Sequence, residues 1–456
     1  MSPAGTSAAA VPGSAVRSRP ASPRAVSTRA STGDAAPSLL PWLSRVTDDA
    51  GLESRVALAD GPHGRSLVAL RQLTPDEVIF NVPFSLVFAE DDTKDARNAL
   101  DASEATETPA DDEALPWSAE MAMRLLEARA GVNRPELKPW IDSLPSFVST
   151  PPLEYSDDAL EACQDAFAIE EAKEVRAAHA AAGAALGARL AAVGCDGDDL
   201  RWAAGALHSR CFTHGPRGTH LAVPGVDMCN HCFESPTAQV RVVTSPDECQ
   251  GAAATREIAE SRESPTRGET RFFQLRAGED GVEEGAEIII SYGAWPNDPF
   301  FLYFGFVPGG NPNDAVALFA DAAEVEMCAE RLGLIEPRDA SASGETVVVD
   351  ENVVDDVPST GLRARRRMML TREGIDPAII ETAQFFGVSD WRPLVEGRCL
   401  ELLRAFPTTL KEDRAALDGG GLTDDETVAV RYRMSKKEVL LGPIARARAR
   451  EAANES

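Results

Sequence analysis

The chain has 456 residues, 43% of them hydrophobic, and a formal net charge of −28 at pH 7. That length accommodates two domains with separate cores, and the negative charge disfavours nucleic acid and anionic membranes as partners. No run approaches the roughly 18 apolar residues of a membrane-spanning helix. The eight cysteines, scattered over a long chain, do not resemble a disulfide framework, so we expect a globular protein in a reducing compartment.

The first segment of the sequence differs in composition from the rest. Residues 1–33 are rich in Ala, Ser, Thr, Pro and Arg, and no acidic residue precedes Asp34. This composition is typical of an organelle transit peptide and lacks the apolar centre of a secretory signal. We predict that residues 1–36 are a transit peptide, for a chloroplast before a mitochondrion. A disordered tail on a cytoplasmic or nuclear protein is the alternative.

Turn residues separate three short apolar runs in the next part of the chain, a pattern that predicts a small β-meander. The first turn contains Gly61 and Gly64, which would let the backbone approach a ligand closely because glycine lacks a Cβ atom. The three apolar runs are Ser66–Leu70, Val78–Val82 and Leu86–Phe88.

A helical region follows an acidic stretch of low complexity at residues 90–114, which we interpret as a loop. Apolar residues at helical spacing and long Ala- and Glu-rich runs predict several helices between about 115 and 212. The predicted helices cover Trp117–Ala130, residues 157–192 with a break near Gly183 or Gly187, and the segment from Asp199 to Arg210. We interpret this region as a helical insertion between two β regions.

Two short polar signals lie at the ends of apolar or strand-like runs in the centre of the chain. They are Asp227-Met228-Cys229-Asn230-His231 and Ser291-Tyr292-Gly293, separated by a polar insertion at about 244–270. Because a strand supports a polar group rigidly, both signals indicate residues of a functional site. The predicted elements around them are strands at Phe272–Leu275 and Glu287–Ser291 and a short helix at Asn297–Phe304.

The chain becomes helical again beyond about residue 311. Thr409–Glu412 and Thr423–Glu426 both fit the capping box, in which a hydroxyl and a carboxylate satisfy free backbone N–H groups. Helices that begin there predict a helical domain over about 370–450. We interpret the basic run of Arg363, Arg365, Arg366 and Arg367 as a solvated face, with a docking patch for an acidic partner as the alternative.

The ordered set of motifs resembles the SET-domain protein methyltransferases, and among them the branch named for the Rubisco large-subunit lysine methyltransferase. The set comprises the glycine turn, Ser209-Arg210-Cys211-Phe212, both central signals, Pro139-Trp140-Ile141 with Leu144-Pro145, and Phe406–Asp413. The resemblance implies an α+β fold: a β-rich SET domain over 37–310 with an α-helical insertion, then an all-α substrate-binding domain over 311–456. It also implies S-adenosylmethionine-dependent methylation of a side-chain nitrogen in a protein, most often of lysine.

The resemblance also implies roles for individual residues. Tyr292 matches the catalytic tyrosine beside the methyl group in flight. The implied cofactor-binding residues are His63, Gly64, Arg65, Asn230 and His231. The implied substrate-binding residues are Arg210, Asp227 and Phe304. We expect no metal ion.

These residue types suit the implied reaction. Methyl transfer from a sulfonium is an in-line displacement, so alignment supplies much of the rate. A lysine amine must first lose its proton, which costs about 3 kcal/mol near pH 8. An apolar channel lowers that cost by desolvation, and a tyrosine hydroxyl orients the amine.

Two positions depart from the family's pattern. Phe304-Gly305-Phe306 stands where the family usually has Tyr-Gly-Phe, and the tyrosine lies one position earlier, at Tyr303. Loss of that hydroxyl removes a hydrogen bond to the substrate nitrogen, so the number of methyl groups added and a histidine target stay open. The second departure, Ser66 in place of a common glycine, exchanges one small residue for another.

Two interpretations of another class stay open. Cys211 with His214, and Cys229 with Cys232, have the spacing of zinc ligands, although we favour buried free thiols. A non-catalytic SET-like module would bind a partner through the helical domain, and the altered Phe304 favours it. For the enzyme, the resemblance implies a folded protein substrate, with the Rubisco large subunit and fructose-bisphosphate aldolase as candidates. We expect a monomer.

Overall fold

The computed structural model describes residues 39–61, 64–90, 115–214, 218–243, 271–337 and 367–454, without the side chains of 448–454. His63 lies outside the described residues. The predictions for residues 1–36, for nearly all of the acidic stretch, for the polar insertion and for Arg363, Arg365 and Arg366 lie outside them as well.

The described strands and helices form the α+β arrangement that the sequence predicts. The strands are β1 (Val56–Gly61), β2 (Gly64–Ala69), β3 (Val78–Pro83), β4 (Phe88–Ala89), β5 (Cys211–His214), β6 (Thr219–Ala222), β7 (Asn230–His231), β8 (Ala238–Val243), β9 (Phe272–Ala277), β10 (Ile289–Ile290), β11 (Ala315–Phe319) and β12 (Met368–Thr371). The helices are α1 (Leu39–Val46), α2 (Leu52–Arg55), α3 (Trp117–Arg129), α4 (Lys138–Ile141), α5 (Asp157–Glu161), α6 (Ala166–Ala185), α7 (Gly187–Ala192), α8 (Gly197–His208), α9 (Asn297–Pro299), α10 (Ala322–Arg331), α11 (Pro377–Phe385), α12 (Arg392–Ala405), α13 (Leu410–Gly419) and α14 (Asp424–Asn454).

Small sheets build the β part of the fold. β1 and β2 form an antiparallel hairpin, β9 lies between β3 and β8, and β6 lies between β4 and β5. β7 pairs in parallel with β10, which places Asn230 beside Ile289 and His231 beside Ile290. The parallel pair therefore brings the two central polar signals of the sequence together.

Several predicted elements differ from the structure in their bounds. In the run Leu86–Phe88, only Phe88 lies in a strand; Leu86 ends a 3-10 turn, Phe84–Leu86, which Pro83 precedes with a fixed φ of −65°. The stretch 157–192 also breaks after α5, where Asp165 caps the next helix by accepting bonds from two backbone N–H groups. The segment Phe300–Phe304 after α9 forms a π-helical turn.

Both predicted capping boxes are confirmed. Thr409 and Glu412 exchange side-chain and backbone hydrogen bonds at the start of α13. Thr423 and Glu426 do the same at the start of α14. The C-terminal part is helical as predicted, and the antiparallel pair of β11 with β12 adds a small β element to it.

Three hydrophobic clusters hold the described residues together. The largest lies among the small sheets and the first insertion helices, and a second fills the C-terminal helices. The third joins Tyr155 and Leu160 of the insertion to Phe301 of the π-helical turn and Tyr432 of α14. The helices before β5, the π-helical turn and the last helix therefore share one hydrophobic cluster. Within the described part of the chain, no helix is long and apolar enough to span a membrane.

Candidate active site

Aromatic rings surround the place where β7 and β10 meet. The His231 ring lies stacked on Phe300 at 4.9 Å and edge-on to Phe233 at 4.1 Å, measured between ring centroids. Tyr292 lies 5.0 Å from His231 and 5.5 Å from Phe304. These rings form an apolar wall around the few polar atoms of the site, as in many small-molecule sites.

Tyr292 is fixed at both its backbone and its hydroxyl. The hydroxyl donates to the carbonyl oxygen of Cys229 at 2.8 Å, and the backbone N–H donates to Nδ1 of His231 at 3.0 Å. Burial raises the pKa of the Tyr292 phenol above its ordinary value, so the hydroxyl keeps its proton at physiological pH. The structure therefore holds a protonated tyrosine beside the strand pair.

The chain next to Tyr292 turns tightly around its carbonyl group. Gly293 adopts φ +112°, which favours glycine, and a Cβ atom there would lie 2.9 Å from Nε1 of Trp295. Trp295 Nε1 donates to the carbonyl oxygen of Tyr292 at 2.9 Å. The glycine of the Ser-Tyr-Gly signal thus leaves room for the indole that fixes the tyrosine.

Asp227 is a buried carboxylate with three neighbours. Its side chain is fully buried; Trp140 Nε1 donates to Oδ2 at 3.0 Å and the Gly225 N–H donates to Oδ1 at 2.8 Å. Arg210 donates to the Asp227 carbonyl oxygen at 2.6 Å, and its Nη1 lies 3.8 Å from the carboxylate. Burial raises the pKa of Asp227, and the arginine and the two donors oppose that rise.

Arg210 and His231 each keep one buried nitrogen without a hydrogen-bond partner in the described part of the protein. These atoms are Nε of Arg210 and Nε2 of His231. Because Nδ1 of His231 accepts from Tyr292, a neutral ring carries its proton on Nε2. Burial lowers the pKa of His231 to about 4, so the ring is neutral at pH 7. Both atoms are therefore buried donors whose hydrogen bonds no described group satisfies.

Asn230 belongs to the strand pair, and β2, which follows the glycine turn, bonds to the residues just before β10. Asn230 Nδ2 donates to Glu287 Oε1 at 2.7 Å. β2 exchanges backbone hydrogen bonds with residues 286–288, directly before β10, so Gly64 begins a strand that runs past Glu287. Arg65 Nη1 donates to the Ser143 carbonyl oxygen at 2.8 Å. Gly64 adopts φ +89° with open space where a Cβ atom would lie.

Phe304 takes its place in the aromatic wall, and Tyr303 does not supply the missing hydroxyl there. Phe304 lies 5.4 Å from Phe300 between ring centroids. The Tyr303 hydroxyl donates to Glu171 Oε1 in α6 at 2.7 Å. The site therefore has a phenyl ring at the position where the family pattern has a phenol.

The four zinc-ligand candidates do not gather around a common point. Among the described residues, no group of three or more His, Cys, Asp or Glu side chains could hold a metal ion. Cys211, Cys229 and Cys232 are free thiols, and burial raises the pKa of Cys229 above its ordinary value. Cys229 contributes its carbonyl oxygen to Tyr292 rather than its sulfur to a metal.

The structure brings Arg210, Asp227, Asn230, His231, Tyr292 and Phe304 to one region, whereas the side-chain contact of Arg65 is with Ser143 and Gly64 lies at the start of β2. Sequence reasoning missed the roles of Trp140, Glu287 and Trp295, which hold Asp227, Asn230 and Tyr292. The sequence gives only a weak signal for these roles, because the partners are distant along the chain. Glu287 lies 57 residues from Asn230, and Trp140 lies 87 residues from Asp227.

Solved structures show which fold the chain shares. The chain superposes on "Crystal structure of the SET domain of LSMT bound to Lysine and AdoHcy" with a TM-score of 0.56, 18% identity and 91% of each chain covered. For "Structure of Rubisco LSMT bound to AdoMet" the TM-score is 0.53, again at 18% identity, over 92% of this chain and 93% of that one. The chain therefore has the fold of these SET-domain structures.

Comparisons of the sequence show which proteins the chain resembles. The family model described as Rubisco LSMT substrate-binding matches residues 389–440. The chain is 26% identical over 262 residues to the chloroplastic ribulose-1,5 bisphosphate carboxylase/oxygenase large subunit N-methyltransferase of Nicotiana tabacum, covering 53% of this chain and 48% of that one. The chain thus shares the SET-domain fold and is similar in sequence to this tobacco N-methyltransferase.

Two further relatives act on different substrates. The chain is 25% identical to the chloroplastic [fructose-bisphosphate aldolase]-lysine N-methyltransferase of Arabidopsis thaliana, covering 53% of this chain and 49% of that one. It is 24% identical to the actin-histidine N-methyltransferase of Gallus gallus, over 53% of this chain and 40% of that one. The chain therefore spans about half the length, or less, of the curated relatives it matches.

Proposed function

We propose that this protein transfers methyl groups from S-adenosylmethionine to a side-chain nitrogen of a protein, with lysine as the primary target. The observation that carries the proposal is the fixed, protonated Tyr292 inside an aromatic wall, beside two buried donors that lack a partner among the residues that the structure describes. The names of the tobacco and Arabidopsis relatives support the same activity.

The residues at the strand pair fit S-adenosylmethionine. We propose that the backbone at Gly64 and Arg65 lies along the cofactor, because Gly64 leaves open space beside the chain. Asn230 and His231 would hold its adenosine end, and the unpaired Nε2–H of His231 gives the site a donor for it. When bound, S-adenosylmethionine supplies an electrophilic methyl group on its sulfonium.

The aromatic wall and Tyr292 would prepare the attacking amine. Phe300, Phe304 and His231 exclude water, and desolvation favours the neutral form of a lysine. The Tyr292 hydroxyl donates to the Cys229 carbonyl, so its oxygen is left to accept a hydrogen bond from the amine and orient it. We propose Arg210 and Asp227 as the polar side of the substrate cleft.

A histidine target is the second candidate, and Phe304 is the observation that favours it. A phenyl ring gives no hydrogen bond to a lysine nitrogen, and the Tyr303 hydroxyl is engaged with Glu171. A planar imidazole would stack within a wall of this kind. The similarity to an actin-histidine N-methyltransferase is consistent with this candidate.

We propose that the domains divide at about residue 310 and that the helical part beyond it binds a folded protein substrate. The match of residues 389–440 to the substrate-binding family supports that role. The Rubisco large subunit and fructose-bisphosphate aldolase are the candidate substrates, and a chloroplast is the proposed location, because two relatives are chloroplastic enzymes with those targets.

The test measures cofactor binding and transfer separately. The purified protein is titrated with S-adenosylmethionine by calorimetry, then incubated with the labelled compound and plastid stroma. We expect binding and a discrete labelled band, whose methylated residue mass spectrometry identifies as lysine or histidine. Protein that does not bind S-adenosylmethionine would refute the proposal, and binding without transfer to any extract would favour a non-catalytic module.

A further inference from the structure

A buried ion group lies between the last helix and the turn that carries the aromatic wall. Lys436 of α14 is 2% exposed. Its Nζ contacts the Asp298 carboxylate, donates to the Ala315 carbonyl oxygen at 2.7 Å and lies 3.5 Å from Asp314 Oδ1. Burial opposes the charge on Lys436, but Asp298 and Asp314 hold its pKa above the ordinary value. The ammonium is therefore a charged centre of this interface.

One arm from Lys436 reaches the first turn of the segment that carries Phe300 and Phe304. Asp298 lies in α9, directly before that segment. Tyr432, one helical turn before Lys436, donates its hydroxyl to Asp298 Oδ1 at 2.8 Å and stacks on Phe301 at 4.3 Å. The last helix thus holds the base of the aromatic wall by a charge, a hydroxyl and a ring.

A second arm reaches Tyr292 itself. Asp314 accepts the backbone N–H and the side-chain amide of Asn297, at 3.2 and 2.9 Å. Asn311 donates to Asn297 Oδ1 at 2.8 Å and to the Trp295 carbonyl oxygen at 2.9 Å. Trp295 then donates its indole N–H to the Tyr292 carbonyl oxygen at 2.9 Å.

The hydrogen-bonded residues between Lys436 and Tyr292 are well suited to hold one fixed arrangement. Asn297, Asn311 and Asp314 are fully buried, and the bonds that connect Asp314 to Tyr292 have ordinary lengths, whereas Lys436 lies 3.5 Å from Asp314. A satisfied buried polar network is rigid and specifies one arrangement of its members. Among the bonds described above, Lys436 is the residue of α14 that contacts Asp314, whereas Tyr432 of the same helix bonds to Asp298.

We propose that Lys436 is a positioning residue through which the C-terminal helical part sets the alignment of Tyr292 and the aromatic wall. The proposal rests on the proposed methyl transfer for its kinetic consequence, because in-line displacement is sensitive to small misplacements. In this proposal Lys436 contacts neither cofactor nor substrate. It acts through Asp298, Asp314, Asn297 and Asn311.

The chain contains a matched control for Lys436. Lys437 is the next residue, is 1% exposed, and bonds to Asp413 and Thr408. Its bonds hold α14 to α13 and do not lead to Tyr292. Lys436→Met and Lys437→Met remove the same group at equal burial, so they separate a general loss of stability from a loss of alignment.

The kinetic arm compares kcat with KM in these two variants. We expect Lys436→Met to lower kcat by about 10- to 100-fold while S-adenosylmethionine affinity changes less than about threefold. Lys437→Met keeps the wild-type kcat. Asn311→Ala cuts the same path without leaving a buried charge, and it carries the test if Lys436→Met does not fold. In the double variant Lys436→Met/Asn311→Ala, the fold-decrease of kcat should be smaller than the product of the fold-decreases of the two single variants.

The structural arm of the test does not depend on methyl-transfer activity. In protein labelled with 5-fluorotryptophan, the ¹⁹F resonance of Trp295, assigned with Trp295→Phe, should move in Lys436→Met and stay in Lys437→Met. An unmoved resonance in folded Lys436→Met, or equal responses of the two lysine variants in both arms, overturns the proposal. If the wild type transfers no methyl group, the proposed function fails, and the ¹⁹F comparison still decides whether Lys436 positions this segment.

Discussion

The segment Phe300–Phe304 contacts both the strand pair and α14, and the buried polar groups of these two regions differ in how they are satisfied. On the strand-pair side, Arg210 Nε and His231 Nε2 have no partner within the described residues. On the side of α14, Lys436 and Lys437 are buried and each bonds to a carboxylate. Unpaired buried donors are costly unless a ligand satisfies them, whereas paired charges hold elements together.

This difference predicts that substitutions in the two regions have different effects. Changes among the paired charges should reduce the free energy of unfolding, because they leave a buried charge without compensation. Changes beside the unpaired donors should reduce activity and alter stability less. The ion group around Lys436 departs from this division, because its hydrogen bonds connect the last helix to Tyr292 through Trp295.

The largest expected effect is on stability, from Asp413→Ala. Asp413 is fully buried and accepts from Arg433 at 2.9 Å and from Lys437. Its loss leaves two buried cations unpaired, so we expect the free energy of unfolding to fall by about 3–5 kcal/mol in urea titrations. Asp418→Ala, at an exposed position of the same helix, is the control and should change it by less than about 0.5 kcal/mol. Equal values for the two variants would contradict the pairing.

The next effect is on catalysis, from Tyr292→Phe. The change removes the hydroxyl that donates to Cys229, and we expect kcat for labelled methyl transfer to fall by about 100-fold. Tyr303→Phe makes the same chemical change at a hydroxyl bonded to Glu171, and it should leave kcat within about threefold of wild type. A Tyr292→Phe enzyme as fast as Tyr303→Phe would remove Tyr292 from the mechanism.

A third prediction concerns a buried neutral group outside both regions. His179 is 5% exposed, bonds through Nε2 to Ser118 at 2.9 Å, and burial lowers its pKa from 6.5 to about 4. Between these values the unfolded chain takes up a proton that the folded protein does not, so stability falls as pH drops from 6.5 to 4. The slope from this group is up to about 1.4 kcal/mol per pH unit.

His179→Gln should flatten the pH dependence by that amount. The measurement is the free energy of unfolding from urea titrations between pH 4 and pH 8, for wild type and variant. Above pH 7 neither state protonates this ring, so the two curves should run parallel there and serve as the internal control. Parallel curves below pH 6.5 as well would mean that His179 is not held neutral by burial.

The smallest effect is expected at Ser66, whose hydroxyl is fully buried and has no partner within the described residues. Ser66→Ala removes an unsatisfied group, so the free energy of unfolding should stay equal or rise by about 1 kcal/mol. Ser143→Ala is the matched control, since its buried hydroxyl donates to the Trp140 carbonyl at 2.6 Å, and it should cost about 1 kcal/mol. A loss at Ser66 equal to that at Ser143 would show that its hydroxyl has a partner.

Local signals in the sequence predicted much of the secondary structure. Helix α3 follows from apolar spacing, and the boxes at Thr409 and Thr423 follow from hydrogen bonds between residues three positions apart. The lengths of β4 and β10 were less predictable, because a two-residue strand exists only where a partner strand lies beside it. The π-helical turn at Phe300–Phe304 likewise gives no periodic signal that separates it from an α-helix.

The sequence by itself determined the α+β class, the helical character of the C-terminal part and the segments that carry Asn230, His231 and Tyr292. These follow from periodicity, capping chemistry and ordered motifs, which act over a few residues. Only the tertiary structure decided that the Tyr303 hydroxyl turns to Glu171, 132 residues away. It also decided that Lys436 meets Asp298 across 138 residues. Contacts of this separation depend on how whole elements are arranged, and no local pattern encodes them.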